Sequence, residues 1–331
     1  MPWAVLGDWP TPLDRVELDG RPLWIKREGD SAASYGGNKV RTLEAWLGHA
    51  RAIGARRIWA IGAYGSNHAV ATIRHAHALG LDAGAIVFPQ PASEWAIENA
   101  GAVIASGVPI VRLHSVAEMP VVALAMAARR RGEVVMPPGG ATPIGTLGAL
   151  SAALELAEQI AAGLAPPPRR IVTAIGSTCT TAGLLAGLAL ARALGAWRWP
   201  PPIVHAVRVT PWPVTSRVVV LQLAARTLAR IAALGGPALA PSGDRLVIDG
   251  RELGAGYGRP TERGRLAERL LGAAVRLDGV YSAKAAAALV RLHRAGTGPL
   301  VFWATKSSVR MAAPQPAALA AAPRALVRWL G

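Results

Sequence analysis

The sequence predicts an α/β protein of two lobes, each a parallel sheet covered by helices on both faces. Three observations carry this. The chain has 331 residues, more than one layered core usually holds. Short β-branched runs alternate with longer Ala/Leu/Arg stretches of helical period, the pattern of repeated βα units. Glycine-bearing polar loops recur after the strand-like runs, where open α/β sheets place their ligands.

Along the chain, Arg57-Ile58-Trp59-Ala60-Ile61-Gly62 reads as a strand ending in a glycine turn, followed by a helix from His68 to Leu79 that Gly80 stops. Ala83 to Phe88 is a strand closed by Pro89-Gln90-Pro91. Glu94 to Ala100 is a helix, and Val103-Ile104 and Pro109-Ile110-Val111 read as extended. Pro120 to Arg131 is a helix whose proline is tolerated in the first turn. Val134-Val135-Met136 is a strand running into Pro137-Pro138-Gly139-Gly140. The alternation resumes through Ile171–Ala174, Ala182–Leu194, Ile203–Val209, Arg217–Leu234 and Lys284–Arg294. Ala162 to Pro168 reads as a connector between lobes, and Ala312 to Pro323 as a low-complexity, loosely packed tail.

Composition excludes several classes. Hydrophobic residues make up 52% of the chain, enough for a sizeable core. The single cysteine, Cys179, allows no internal disulfide framework and fits a reducing compartment. The opening residues lack the basic and apolar regions of a signal peptide, so a cytoplasmic location is expected. The uncharged runs Val134 to Leu154 and Ile171 to Ala191 have membrane-span length. The first is broken by its Pro-Pro-Gly-Gly turn and the second by a polar turn, so no membrane span is expected. The net charge is +16, but the arginines are scattered. The densest clusters, Arg129-Arg130-Arg131 and Arg169-Arg170, have no interleaved aromatics, so nucleic-acid binding is not expected.

Four loops and one lysine carry the candidate chemistry. In Ser34-Tyr35-Gly36-Gly37-Asn38-Lys39, a lysine stands at the mouth of a predicted helix behind two glycines. Held there and desolvated, its amine has the low pKa that Schiff-base chemistry needs; a solvated lysine at a helix start is the plainer alternative. Ser66, Asn67 and His68 open a helix after a strand, which suits either an anion site or simple capping. Gly176-Ser177-Thr178-Cys179-Thr180-Thr181 does the same, and its amides and hydroxyls fit a phosphate or a plain strand-to-helix turn. It is neither a Walker loop nor a dinucleotide fingerprint. A third loop is Pro137 to Gly148. In the fourth, Gly254 to Thr261, Tyr257 is flanked by glycines. Thr305 offers a hydroxyl at the end of a late strand. Cys179 is a weak nucleophile candidate. His68, His75 and His77 make no metal set, because His75 and His77 face different sides of a helix.

Together and in this order, these segments resemble the tryptophan-synthase-β-like (fold type II) pyridoxal-phosphate (PLP) enzymes, most nearly the D-cysteine desulfhydrase/1-aminocyclopropane-1-carboxylate (ACC) deaminase branch. The match runs from Pro10-Thr11-Pro12-Leu13 and Ile25 to Gly29 through Gly36-Gly37-Asn38-Lys39, Ser66-Asn67-His68, Gly139-Gly140 and Gly176-Ser177. It continues through Ala182-Gly183-Leu184, Gly256-Tyr257-Gly258 and Leu277-Asp278-Gly279-Val280-Tyr281 to about Thr305. The resemblance implies a two-lobed, three-layer α/β/α fold, with a small lobe of residues 46–160 inserted into a large lobe of 1–45 and 161–331.

It implies PLP as cofactor and Lys39 as its Schiff-base lysine and α-proton base. Asn67 matches the partner of the cofactor's 3′-oxygen. Residues 176–181 (Gly176, Ser177, Thr178, Cys179, Thr180 and Thr181) match the phosphate cradle, and Thr305 the hydroxyl facing the ring nitrogen. Ser66, Asn67, His68 and Tyr257 match the substrate side, with Ser66 and Tyr257 among the catalytic groups. The implied reaction is α,β-elimination from a small amino acid through an external aldimine, giving a keto acid and ammonia. ACC ring opening, amino-acid racemisation and a non-catalytic basic binding protein are the alternatives. A homodimer is implied, and no metal.

The chain departs from the family's pattern at several places. The family has Gln at Gly65, Arg at Val70 and Lys at Thr42, and it ends His-Thr-Gly-Gly where this chain has Ala304-Thr305-Lys306-Ser307. The last change puts a cation and a side chain in place of a glycine pair.

Overall fold

A computed structural model describes residues 2–129 and 132–331. In chain order the elements are β1 Leu13–Leu18, β2 Arg21–Arg27, α1 Asn38–Ala52, β3 Arg57–Ala63, α2 Asn67–Ala78, β4 Asp82–Phe88 and α3 Glu94–Ala105. Next come β5 Ile110–Arg112, α4 Met119–Arg129, β6 Glu133–Met136, α5 Pro143–Ala161, β7 Arg170–Ile175, α6 Cys179–Ala193, β8 Ile203–Arg208 and α7 Arg217–Ala233. The chain closes with β9 Leu246–Asp249, α8 Glu262–Leu271, α9 Ser282–Arg294, β10 Leu300–Ala304, α10 Pro316–Ala321 and α11 Arg324–Leu330.

Two sheets result, as the βα alternation requires. The small one has order β5-β4-β3-β6 and is parallel throughout. The large one has order β1-β2-β10-β7-β8-β9. It is parallel except for the β1–β2 hairpin, where Asp19 and Gly20 both take positive φ, as a tight hairpin turn demands.

Strand side chains alternate between two helix layers. On β3, Ile58 and Ala60 enter the core shared with α1 and α2, while Trp59 and Ile61 face Met126 of α4. On β10, Val301 and Trp303 meet α5 and α6, while Phe302 meets α8 and α9. Both sheets are buried on both faces, which explains why their strands read as continuous apolar runs.

The structure differs from the sequence reading in several places. Val103 and Ile104 are not extended: α3 continues to Ala105, because both side chains lie on its inner face at 1% and 2% exposure. α6 opens at Cys179, so the polar Cys179-Thr180-Thr181 stretch is its first turn. α5 buries Leu147, Leu150, Leu156 and Ile160 in the core of the large sheet with α6. Ala162 to Pro168 therefore joins two elements of that layer rather than two lobes. The tail is half-exposed over α10, but α11 anchors it through Leu326 and Trp329, whose Nε1 donates to Gln90 O at 2.7 Å. Of the basic cluster at 129–131, the last two residues lie outside the described residues. Among the described residues, no helix is long and apolar enough to cross a membrane, and no group of His, Cys, Asp and Glu is placed to hold a metal ion.

Candidate active site

The carboxyl ends of both sheets face one cleft, and the loops singled out in the sequence meet there. Lys39 is the second residue of α1. Its helix is held from behind by a buried ionic network. Arg41, two residues on, donates to Glu28 Oε2 at 2.7 Å and to Glu155 Oε1 at 2.9 Å, and Lys26 also pairs with Glu155. This network sets the rotation of α1 and so the direction of Lys39. Burial pushes the Lys39 ammonium pKa down. Among the described residues, no carboxylate pairs with it.

Across the cleft, Lys39 Nζ lies 3.5 Å from Ser177 Oγ, in the turn between β7 and α6. Thr178 caps α6 in a left-handed conformation, φ 69°, which turns the chain sharply into the helix. The first amides of α6 have no partner within the helix and form an anion-binding mouth. Thr181 Oγ1 is buried there without a partner. Gly139 closes the opposite side at φ 65°. A Cβ on it would lie 2.1 Å from Ser177 Oγ and 3.2 Å from Lys39 Nζ, so only a bare backbone fits against this cradle.

Not every predicted side chain points into the cradle. Cys179 is fully buried, with Sγ packed 3.6 Å from Thr146 Oγ1 and 3.8 Å from Thr42 Oγ1, so only its backbone remains at the helix mouth. Thr180 Oγ1 accepts a 2.8 Å bond from Asn38 Nδ2, which ties the cradle to α1. Ser66 caps α2, its Oγ accepting from Ala69 N at 3.2 Å. His68 is buried with neither ring nitrogen partnered. Burial, and then the nearby charge of Lys39, pull its pKa down to about 3, so the ring is neutral. Thr305 follows β10, and its carbonyl accepts from Asn38 N at 3.4 Å.

Asn67 opens α2 and sits in a small cleft with Gly65, Trp95, Asn99 and Tyr281. Its Oδ1 accepts from Tyr35 Oη at 2.8 Å, Asn99 Nδ2 at 3.0 Å and Lys306 Nζ at 3.0 Å. Tyr257 meets Tyr281 through a 2.6 Å bond between hydroxyls, with the rings edge to face. Burial raises the pKa of Tyr257 to about 12 and pushes that of Tyr281 up as well, so both stay protonated at neutral pH. The loop is propped by Lys284, whose Nζ donates to Leu253 O at 2.8 Å and Gly256 O at 3.0 Å.

Tyr35, Asn99, Tyr281 and Lys284 were not picked out as site residues in the sequence. Tyr35 is adjacent to the glycine turn and Tyr281 ends a quoted motif, so both carried a signal. Asn99 lies mid-helix in α3 and Lys284 in the first turn of α9, and neither carried a signal. The departure at Gly65 has a steric reason: a Cβ there would stand 2.4 Å from Ala96 Cα, so α3 fills the space a side chain would need.

A parallel two-sheet fold with a buried lysine facing an anion-binding helix mouth defines a cofactor-dependent α/β enzyme. Residues 5–300 match the family described as "Pyridoxal-phosphate dependent enzyme", and the chain belongs to that family. It is 38% identical over 310 residues to the nocardicin C-9′ epimerase of Nocardia uniformis subsp. tsuyamanensis, covering 90% of each chain. It is 31% identical over 298 residues to the D-cysteine desulfhydrase of Salmonella paratyphi C, covering 85% of each. Among solved structures it resembles an ACC deaminase homologue, with TM-score 0.73 and 29% identity over 92% of this chain and 91% of that one. The fold is therefore fold type II, and the cofactor of the family is PLP. The residues present fit that cofactor: the Gly139 cradle has no room for a side chain, and Thr181 Oγ1 is a buried hydroxyl awaiting a partner.

Proposed function

We propose that this chain removes the α-proton of a small amino acid and expels a β-substituent, in the manner of D-cysteine desulfhydrase, releasing a keto acid and ammonia. The observation that carries the reading is the 3.5 Å approach of Lys39 Nζ to Ser177 Oγ, which brings a desolvated amine to an anion-binding helix mouth. Bound PLP supplies the electron sink that accepts negative charge from the α-carbon. Lys39 holds the cofactor covalently and moves the proton, because burial favours the unprotonated amine that this chemistry needs. Ser177, Thr178, Thr181 and the amides of residues 178–181 hold the phosphate. Asn67 would hold the cofactor's 3′-oxygen through Nδ2, and the Thr305 hydroxyl would serve its ring nitrogen. Ser66, Asn67 and neutral His68 receive the substrate carboxylate. The Tyr257–Tyr281 pair keeps a proton at neutral pH and delivers it to the leaving group.

Inversion at the α-carbon is a second reading, favoured by the 38% identity, over nine-tenths of both chains, to a protein named as an epimerase. Both readings share the proton removal at Lys39. The test is incubation with PLP, borohydride trapping of the visible band, and assay of D-cysteine for sulfide and pyruvate. Lys39→Ala is expected to lose both the band and the products. Loss of optical rotation without keto acid selects inversion. No turnover of any β-substituted D- or L-amino acid refutes the lyase reading. A cytoplasmic homodimer is part of this proposal, and a monomer in sedimentation would remove it.

A further inference from the structure

We propose that Lys306 is a positioning residue for the cofactor: its ammonium, held on Asn67 Oδ1, polarises the Asn67 amide and strengthens Nδ2 as donor to the cofactor's 3′-oxygen. The inference rests on the PLP reading above and adds a residue to it. By the resemblance set out above, Lys306 takes the place of a glycine, and it is 2% exposed.

Its backbone cannot shift. A Cβ on Gly29 would lie 2.4 Å from Lys306 O, and one on Gly37 would lie 2.9 Å from Thr305 O, so the turn is wedged between two glycines. From there the side chain runs beside the rings of Tyr35 and Trp95, with Nζ 5.7 Å and 6.0 Å from their centroids. Nζ ends on three acceptors: Asn67 Oδ1 at 3.0 Å, Tyr35 Oη at 3.5 Å and Asn99 Oδ1 at 3.5 Å. An ammonium has three N–H donors, so none is left over for a ligand, and this is not an anion site.

The effect lands on Asn67. Its Oδ1 already takes Tyr35 and Asn99, and the third donor carries a charge. With the carbonyl end committed, the NH₂ end of the amide must point the other way, and a cation on the oxygen makes that NH₂ more acidic. Burial pushes the Lys306 pKa down and Arg276 opposes its charge, while Asp278 and Glu98 favour the ammonium. Glu98 is paired with Arg276 at 2.7 and 3.0 Å. Asp278 accepts from the amides of Val280 and Tyr281 and from Ser282 Oγ. Tyr35 and His68 are uncharged at neutral pH, and Lys39 stands nearby as the amine that carries the cofactor.

The test uses PLP-loaded wild type, Lys306→Met, Lys306→Gln and Lys306→Arg. Two quantities are read, the PLP dissociation constant and the pH midpoint of the visible band. A fixed cation disfavours further positive charge on the Lys39–cofactor nitrogen, so the wild-type midpoint lies low. In Lys306→Met and Lys306→Gln it is expected to rise by about 1 pH unit, with PLP bound about tenfold more weakly. Lys306→Arg is expected to keep wild-type values. Lys306→Gln retains polar contact with the same acceptors and serves as the reading if the methionine variant does not fold. Wild-type midpoint and affinity in both neutral variants would overturn the inference, as would an arginine variant that behaves like them. A wild type without a borohydride-trapped band would instead overturn the PLP reading itself, and this inference with it.

Discussion

His68 makes apo-protein stability fall at acid pH by an amount the structure specifies. Its ring is buried beside Lys39, and both nitrogens lack partners. Burial first, and then the charge of Lys39, take its pKa from 6.5 to about 3. In the unfolded chain the ring takes up a proton below about pH 6.5; in the folded chain it stays neutral until about pH 3. The unfolded state therefore binds more protons across that window. The contribution is fully present above the unfolded pKa and is lost as pH falls from 6.5 towards 3. One pH unit is worth about 1.4 kcal/mol per proton, so between pH 6.5 and pH 4 the loss is about 3 kcal/mol. Glu98, Glu155 and Asp249, whose pKa values are lowered, also lose stability in acid, so the assay is a difference. Urea unfolding of apo wild type and apo His68→Phe, from about pH 8 to about pH 4, should show the wild-type stability falling relative to the variant's by that amount, with unchanged denaturant slopes. Parallel curves would refute the burial argument, and with it the claim that the His68 ring is neutral in the site.

Gly139→Ala should abolish PLP binding, because the new Cβ falls 2.1 Å from Ser177 Oγ and 3.2 Å from Lys39 Nζ. The left-handed backbone adds a stability cost of about 1 kcal/mol. Absorbance titration with PLP checks it, and wild-type affinity would show that the cradle lies elsewhere. Arg41→Leu should cost about 3–5 kcal/mol of unfolding free energy, because it strands the buried carboxylate of Glu28. Urea denaturation reads this, and a loss below about 1 kcal/mol would mean the network does not hold α1 as argued. Lys284→Met removes the ammonium from Leu253 O and Gly256 O and should lower turnover through Tyr257, with little change in PLP affinity. Unchanged turnover would remove Lys284 from the support of that loop.

The two-sheet α/β architecture was legible because it is local. Period-2 and period-3.6 patterns and glycine punctuation lie within short windows; boundaries moved at α3 and α6, and β9, α8 and the tail helices α10 and α11 were not read from the sequence. The lysine, the serine-threonine turn and the Asn67 loop were legible for the same reason: each is a contiguous motif at a strand-to-helix junction. The sequence also identified Lys306 as a departure, but left its direction open.

What the sequence by itself determined was the fold and the polar, glycine-bearing loops that it brings to one cleft. Tertiary structure alone decided which atoms of those loops are taken up by neighbours and which are not. Cys179 turns its thiol into packing, Ser66 caps a helix, and Thr180 ties the cradle to Asn38. Asn99, in the middle of α3, and Lys284, in the first turn of α9, supply the contacts that hold Asn67 and the Tyr257 loop. The reason is physical. Whether a polar atom faces a ligand or a neighbour depends on what else must be satisfied in the same buried volume, and those neighbours can be 239 residues apart in the chain, as for Lys306 and Asn67, or 271, as for Lys306 and Tyr35.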